Sequence, residues 1–573
     1  MSNFFEENAD IRFHLETMDL RRVVDLKEDG FLEKDDFAFA PKDYEDALEN
    51  YRQVLRIVGE IAGEFIAPRA RGVDREGACF LDGRVTYAKG TREALERLTR
   101  ADLMGFTLPR KYGGINMPKT VYSMAIEMIS RADAALMNLF GLQEIADTIY
   151  KFGTEAQRER YLPRFCSGEA SGAMALTEPD AGSDLQAVRL KASQGEDGQW
   201  YIDGVKRFIT NGCADISLVM ARSEPGSSSG RGLSLFIYDR DEGMKIRRIE
   251  DKLGIHGSPT CEIQFNQAPV ELLGQRKMGL IKYTLSLMNG ARLGVAAQAV
   301  GIAEAAYRSA AKYAAERIQF KKPIREFSAV SELLSEMKVE IEACRTLLYE
   351  TSKIVDLKEG LEEQQDRHPE TKKDLKADLK KFTRYASLLT PIIKARAAES
   401  ANRISYDALQ IHGGVGYTKD FDVERYTRDA RITNIYEGTT QLQVVAAIGG
   451  VMTGVADDFL DELEKAHDFS AVSDLADRVG GLRQALNTAV GVVKEERDHV
   501  FQEFHAARLV EMATDALMAL LLCADSLHSK RKQTVANVFL QGAHRRTRAN
   551  LAFIQSRDRS MIEGQEAILN EAQ

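Results

Sequence analysis

Three textures of apolar and polar positions follow one another along the chain. From Tyr44 to about Arg164 apolar residues recur every three or four positions. Leu48, Tyr51, Leu55, Val58, Ile61 and Phe65 show the period of helices that bury one stripe. Near Ser171 the pattern changes to short runs of β-branched and aromatic residues. Trp200-Tyr201-Ile202, Leu218-Val219-Met220 and Leu233 to Tyr238 are separated by Gly, Asp, Asn and Ser clusters, which predicts strands joined by turns. From Leu280 the helical period returns and persists, interrupted by Gly-Gly at 413–414 and 449–450. Residues 358–381, a mixed-charge run containing Pro369, read as a solvated connector or exposed helix extension between two longer helices. The expected organisation is an N-terminal extension (1–40), a helical domain (41–170), a β-domain (171–279), a helical bundle (280–448) and a C-terminal helical extension (449–573). No repeat of 20 to 50 residues is visible, which argues against a solenoid.

Composition narrows the function classes. The 573 residues hold 77 Lys and Arg against 87 Asp and Glu, a net charge of −10, with 44% hydrophobic residues, as in a soluble globular protein. The mild acidity argues against a large phosphate-binding face and so against nucleic acid as a partner. Cysteines at 79, 166, 213, 261, 344 and 523 form no CxxC pair, and no His has zinc-ligand spacing, so no metal site or disulfide framework is expected and the chain reads as cytoplasmic. The acidic start lacks a secretory signal. The most apolar late stretch, Leu517 to Ala524, is too short to span a bilayer and reads as a buried core helix.

GxxxxGK[ST], HExxH and GxGxxG are missing; at the nearest glycine cluster, 413–416, Lys419 stands where the last Gly would fall. Three unusual segments remain: Leu176-Thr177-Glu178-Pro179-Asp180-Ala181-Gly182-Ser183-Asp184, Arg207-Phe208-Ile209-Thr210-Asn211-Gly212, and Ile435-Tyr436-Glu437-Gly438-Thr439-Thr440-Gln441. Alone, each reads as a turn or a cap. In this order, preceded by Pro109-Arg110-Lys111-Tyr112-Gly113-Gly114, they make residues 100–448 resemble the acyl-CoA dehydrogenase family. Gly254 to Thr260 and Leu388-Leu389-Thr390-Pro391-Ile392 are similar to the long bacterial branch that includes methylthiopropanoyl-CoA dehydrogenases. The resemblance implies a mainly α fold with a central β-domain: an α-domain, a β-domain and a four-helix α-domain, here followed by the C-terminal helical extension.

The same resemblance implies FAD. Thr177 and Thr210 would contact the flavin, Leu176 and Phe208 would pack on its ring, and Gly182 with Ser183 would lie along phosphates or the substrate nucleotide. Arg317, Gln319 and Phe320 match a segment reaching the far end of FAD across a subunit interface; Gln410, Gly413 and Gly414 match a loop near the pyrophosphate; Thr439 and Gln441 complete the cofactor set. Two departures stand out: Lys321 replaces the usual Gly, and Ser328 a usual Gln. Glu437 occupies the position of the base that removes the α-proton of the thioester. The alternative family position on an earlier helix is Ala291, which takes no proton. Ser183, Asn289, Arg292 and Gly438 are the expected substrate contacts.

The activity so implied is α,β-dehydrogenation of an acyl-CoA to the trans-2-enoyl-CoA, within fatty-acid β-oxidation. Electrons would pass to electron-transfer flavoprotein, and the protein would be a homodimer or homotetramer. The rivals are an oxygen-using acyl-CoA oxidase and a flavin-bearing, DNA-protective binding protein of the same fold. The basic clusters Lys530-Arg531-Lys532 and Arg545-Arg546-Thr547-Arg548 read as facing solvent or a packed subunit rather than lipid or CoA phosphates.

Overall fold

The first apolar stripe forms the helix Tyr44–Glu60, started by Asp43, whose carboxylate accepts from the Asp46 N–H at 3.0 Å. Its buried side carries Tyr51, Leu55 and Val58. The N-terminal residues lie directly on this helix: the Phe4 N–H donates to the Gly59 carbonyl at 3.0 Å. Only glycine permits that approach, since a Cβ at Gly59 would stand 2.6 Å from the Phe5 nitrogen and one at Gly63 would stand 2.2 Å from the Ser2 carbonyl oxygen. The charged stretch read as an extension then forms helices Ala9–Thr17 and Arg21–Glu28. Glu28 holds Arg110 of the Pro-Arg-Lys-Tyr-Gly-Gly segment through two bonds of 2.7 and 3.0 Å, with both side chains almost fully buried.

The computed structural model describes residues 2–570. The chain divides into two compact units, residues 1–310 with 401–437, and residues 311–400 with 438–573. In the first, the helices precede a seven-stranded sheet: β1 Gly172–Ala175, β2 Lys191–Gln194, β3 Trp200–Thr210, β4 Ile216–Arg222, β5 Leu233–Asp239, β6 Met244–Ile249 and β7 Thr260–Leu272. Strand β4 pairs with β5, β5 with β7, β7 with β3 and β3 with β2, and β2 returns to β4 where Lys191 meets Arg222. The sheet thus closes on itself, with β1 parallel to β4 and β6 antiparallel to β7. The continuous apolar wording of β4 and β5 follows from burial on both faces. Ile216, Leu218 and Met220 pack with Ile145, Ile149 and Phe165 of the helices, while Val219 packs with Trp200, Phe236 and Phe265.

The second unit is helical. The mixed-charge run 358–381 ends the helix Ser328–Arg367, passes through a short turn at Pro369–Thr371 and begins the helix Lys372–His412. Gly449 and Gly450, read as an interruption, lie inside the helix Thr440–Met452, because the apolar positions on either side keep one helical phase. Leu517 to Cys523 are buried in the helix His499–Ser526. No single helix among the described residues is long and apolar enough to cross a membrane; the most apolar pair, Thr440–Met452 and Val455–Ala466, bends by 68° at its junction. The late basic clusters meet acids of their own unit rather than solvent alone. Arg531 and Lys532 meet the buried Glu342, Arg546 meets the buried Asp515 at 2.8 Å, and Arg396 meets Glu340 at 2.6 Å. Arg531 and Arg546 thus hold fully buried carboxylates, and Arg396 lowers the Glu340 carboxyl against the effect of its burial.

Glu342→Ala removes the buried carboxylate 3.2 Å from the buried Lys532 ammonium, which keeps Asp525 at 3.6 Å. Removing one partner of a buried ion pair costs about 3 kcal/mol. Thermal unfolding of the variant is expected to begin at a clearly lower temperature, and an unchanged melting curve contradicts the assigned role.

Candidate active site

Within the first unit, two of the three unusual segments meet at a fault in the sheet. The β3–β7 register shifts between Lys206 and Ile209, so Arg207 and Phe208 bulge out of the ladder. Phe208 takes φ +60° and its ring is 51% exposed. The freed Arg207 N–H donates to the Thr177 carbonyl at 3.0 Å. Beneath them the fully buried Lys206 donates to the Leu176 carbonyl at 2.7 Å and to Glu178 at 2.9 Å. Burial pulls the Lys206 ammonium down to about 8, with Glu178 opposing the shift. Glu178 also accepts from the Arg189 and Leu190 N–H groups at 2.8 and 2.9 Å, which fixes the loop after β1.

Leu176, Thr177, Phe208 and Thr210 are therefore one constellation. The hydroxyls of Thr177 and Thr210 are on half-buried residues and have no protein partner among the described residues. Gly182 and Ser183 are exposed, and a Cβ at Gly182 would lie 3.9 Å from the Thr177 methyl group.

The third segment brings Glu437 to the helix Leu285–Glu316. Glu437 is half-buried and takes φ +53°, a conformation that costs a residue with a side chain about 1–2 kcal/mol. Its neighbour Tyr436 reaches inward, where its hydroxyl lies against the side-chain carbonyls of Gln298 and Asn138. Gln298, fully buried, donates in turn to the Ala134 carbonyl at 2.8 Å and to Asn138 at 3.1 Å. Arg292 donates to Asn289 at 3.1 Å, and its Nε is buried without a partner. Burial lowers the Arg292 guanidinium, and the negative charge of Glu437 counteracts that shift. Asn289 thus orients Arg292, and Arg292 presents positive charge to Glu437.

Gln410 is exposed near the end of the helix Lys372–His412, and Gly413 begins the turn Gly413–Tyr417 at φ +63°. A Cβ at Gly413 or Gly414 would meet no atom within 4 Å, so the loop offers bare backbone to open space.

The remaining candidates belong to the second unit. Arg317 precedes the small hairpin Ile318–Gln319 with Lys322–Pro323, whose turn holds Phe320 at φ +47° and Lys321 at φ +68°. Lys321 occupies the left-handed position that explains the glycine expected there. Phe320 is 88% exposed, and Arg317 has no ion-pair partner among the described residues. Gln319 donates to the adjacent Ile318 carbonyl. The Gly438 carbonyl accepts from the fully buried Lys394 at 2.6 Å and from Gln443 at 2.9 Å. Thr439 caps the helix Thr440–Met452 through the Leu442 N–H, and Gln441 is exposed on its first turn.

Sequence reasoning missed Lys206, Glu178, Asn138, Gln298 and Lys394, which hold the site residues in place. Lys394 left one signal, a lysine ending the apolar stretch Leu388 to Ile393.

Comparison with known proteins matches four family models in chain order: the acyl-CoA dehydrogenase N-terminal domain at residues 49–169, the middle domain at 173–268, the C-terminal domain at 281–448, and a further acyl-CoA dehydrogenase C-terminal model at 452–561. The short-chain-specific acyl-CoA dehydrogenase of Megasphaera elsdenii is 36% identical over 371 residues, covering 63% of this chain and 90% of that protein. The 3-methylmercaptopropionyl-CoA dehydrogenase of Ruegeria pomeroyi is 34% identical over 432 residues, 70% of each chain. The FAD-complexed acyl-CoA dehydrogenase of Bacillus anthracis shares the fold across 90% of this chain and 88% of its own, with a TM-score of 0.74 at 24% identity. The chain belongs to the acyl-CoA dehydrogenase family of FAD-dependent oxidoreductases that act on acyl-CoA.

Proposed function

We propose that the protein dehydrogenates an acyl-CoA thioester to the trans-2-enoyl-CoA, with Glu437 as the base and electron-transfer flavoprotein as the acceptor of the electrons. The observation that carries this reading is Glu437 held on a strained, anchored turn where its charge is felt by Arg292. Removing a weakly acidic α-proton requires a carboxylate that is ionised and aimed. Arg292 brings positive charge toward Glu437, while Tyr436 on one side of Glu437 and the Gly438 carbonyl on the other have anchors of their own. The Glu437 carboxylate would take the α-proton, and its own N–H would polarise the thioester carbonyl. Ala291 has no group that shares the task.

The residues present fit FAD. Two half-buried threonine hydroxyls without protein partners and an aromatic ring held outward by a bulge suit the flavin, and open-faced Gly413 and Gly414 suit a phosphate. Leu176, Thr177, Phe208 and Thr210 would hold the ring, Arg317, Gln319 and Phe320 the far end, Gln410, Gly413 and Gly414 the pyrophosphate, and Thr439 and Gln441 further contacts. Ser183, Asn289, Arg292 and Gly438 would face the substrate. FAD, when bound, supplies the acceptor for the hydride that leaves the β-carbon. We place the activity in β-oxidation in the cytoplasm and the protein in a homodimer or homotetramer.

Two variants test the assignment. Glu437→Gln is expected to keep bound yellow FAD and acyl-CoA affinity while anaerobic bleaching by substrate slows about 10²–10⁴-fold; bleaching at the wild-type rate removes Glu437 from the role. Tyr436→Phe takes the hydroxyl donor from the buried Gln298 side-chain carbonyl and is expected to cost about 1–3 kcal/mol of stability in urea unfolding. Its bleaching rate should fall while acyl-CoA binding is retained, and wild-type behaviour in both measurements contradicts the anchoring role.

A further inference from the structure

The first unit contains a small, partly open cavity walled by Met104, Phe106, Leu108, Tyr122 and Phe140, with Gln143 and Glu144 as its polar side. Two connections tie it to Glu437. Tyr436 is anchored on Asn138 in the helix Ala134–Gly141, and that helix runs on through Phe140 into the turn Leu142–Glu144. Arg292, which faces Glu437, lies two residues beyond Gly290, and a Cβ at Gly290 would stand 3.5 Å from the Glu144 carboxylate. The N-terminal segment braces the opposite wall, where Lys27 donates to the Thr107 carbonyl at 3.1 Å.

The cavity is small, and the donors described on its walls are already bonded to protein carbonyls. Its space is on the order of one water molecule, so a long alkyl tail does not fit. Gln143 is 7% exposed, and its amide nitrogen donates to the Phe165 and Ala170 carbonyls at 3.4 and 3.5 Å. That pairing fixes which way the amide points and leaves Oε1 buried with no donor. The Tyr122 hydroxyl donates to the Phe140 carbonyl at 3.5 Å. Glu144 is ionically paired with Lys119 at 3.1 Å, and Lys119 also meets Asp147 at 3.3 Å. What the cavity lacks is one small hydrogen-bond donor.

We propose that this cavity receives the distal end of the acyl group and that Gln143 and Glu144 make the enzyme select a short acyl thioester ending in a hydroxyl over its alkyl isostere. The inference rests on the reading of Glu437 as the base of an acyl-CoA dehydrogenase. A terminal O–H satisfies the Gln143 acceptor, whereas a methyl group in the same place leaves that acceptor unpaired in an apolar wall.

The test is calorimetric binding of two unreactive thioethers, S-(4-hydroxybutyl)-CoA and S-pentyl-CoA, to the FAD-loaded protein. The hydroxyl compound is expected to bind about tenfold more tightly or better, and Glu144→Leu and Gln143→Leu are each expected to abolish or reverse the preference. Equal binding of the two compounds, or tighter binding of the pentyl compound, means that water satisfies Gln143 and overturns the proposal. A preference that survives both substitutions overturns the residue assignment, and if neither variant folds, the wild-type comparison alone decides. Butyryl-CoA bleaching that depends on Glu437, together with no hydroxyl preference, defeats this inference and leaves the proposed reaction standing; failure of every acyl-CoA to bleach the flavin defeats the reaction itself.

Discussion

Glu437 sits at φ +53°, where its Cβ crowds the following carbonyl, and a free turn would relax to a commoner conformation. Holding it there requires support on both sides in sequence. Before it, Tyr436 is fixed by Gln298 and Asn138, which are themselves bonded to each other and to the Ala134 carbonyl. After it, the Gly438 carbonyl is held by the buried Lys394 and by Gln443. Much of the Tyr-Glu-Gly-Thr segment therefore serves one residue's backbone, and the proposed chemistry depends on that geometry being kept.

The same economy appears in the other two segments. Glu178 and Lys206 neutralise each other inside the sheet, and through them the loop after β1 is tied to the β3 bulge that turns Phe208 outward. A buried pair of this sort contributes little net stability, because desolvation offsets the attraction. What it contributes is position: Thr177, Phe208 and Thr210 are presented together, with hydroxyls left over for a ligand.

Much of this was legible in the residues, and the parts that were not have physical reasons. The helix beginning at Tyr44 and the strands of the closed sheet follow from period and from turn residues, because burial on one face or two leaves a direct mark on the order of apolar positions. Glu437 was singled out as the proposed base because a family resemblance points to it and the alternative position holds Ala291. The anchors Asn138, Gln298 and Lys394 were not, since their partners lie far away in sequence and no local spacing encodes such a pairing. The misread Gly449-Gly450 shows the converse: two glycines weaken a helix without ending it when the apolar positions around them stay in phase. The late basic clusters likewise gave no hint that Glu342 and Asp515 would hold them.

The central claim is that the Glu437 carboxylate is the group that meets the substrate's α-carbon. A crystal structure of the FAD-loaded protein with an unreactive acyl-CoA analogue tests it directly. The account predicts a Glu437 carboxylate oxygen within about 3.5 Å of the α-carbon, with Arg292 alongside. A Glu437 side chain turned away, with another carboxylate or only solvent at that carbon, would contradict it.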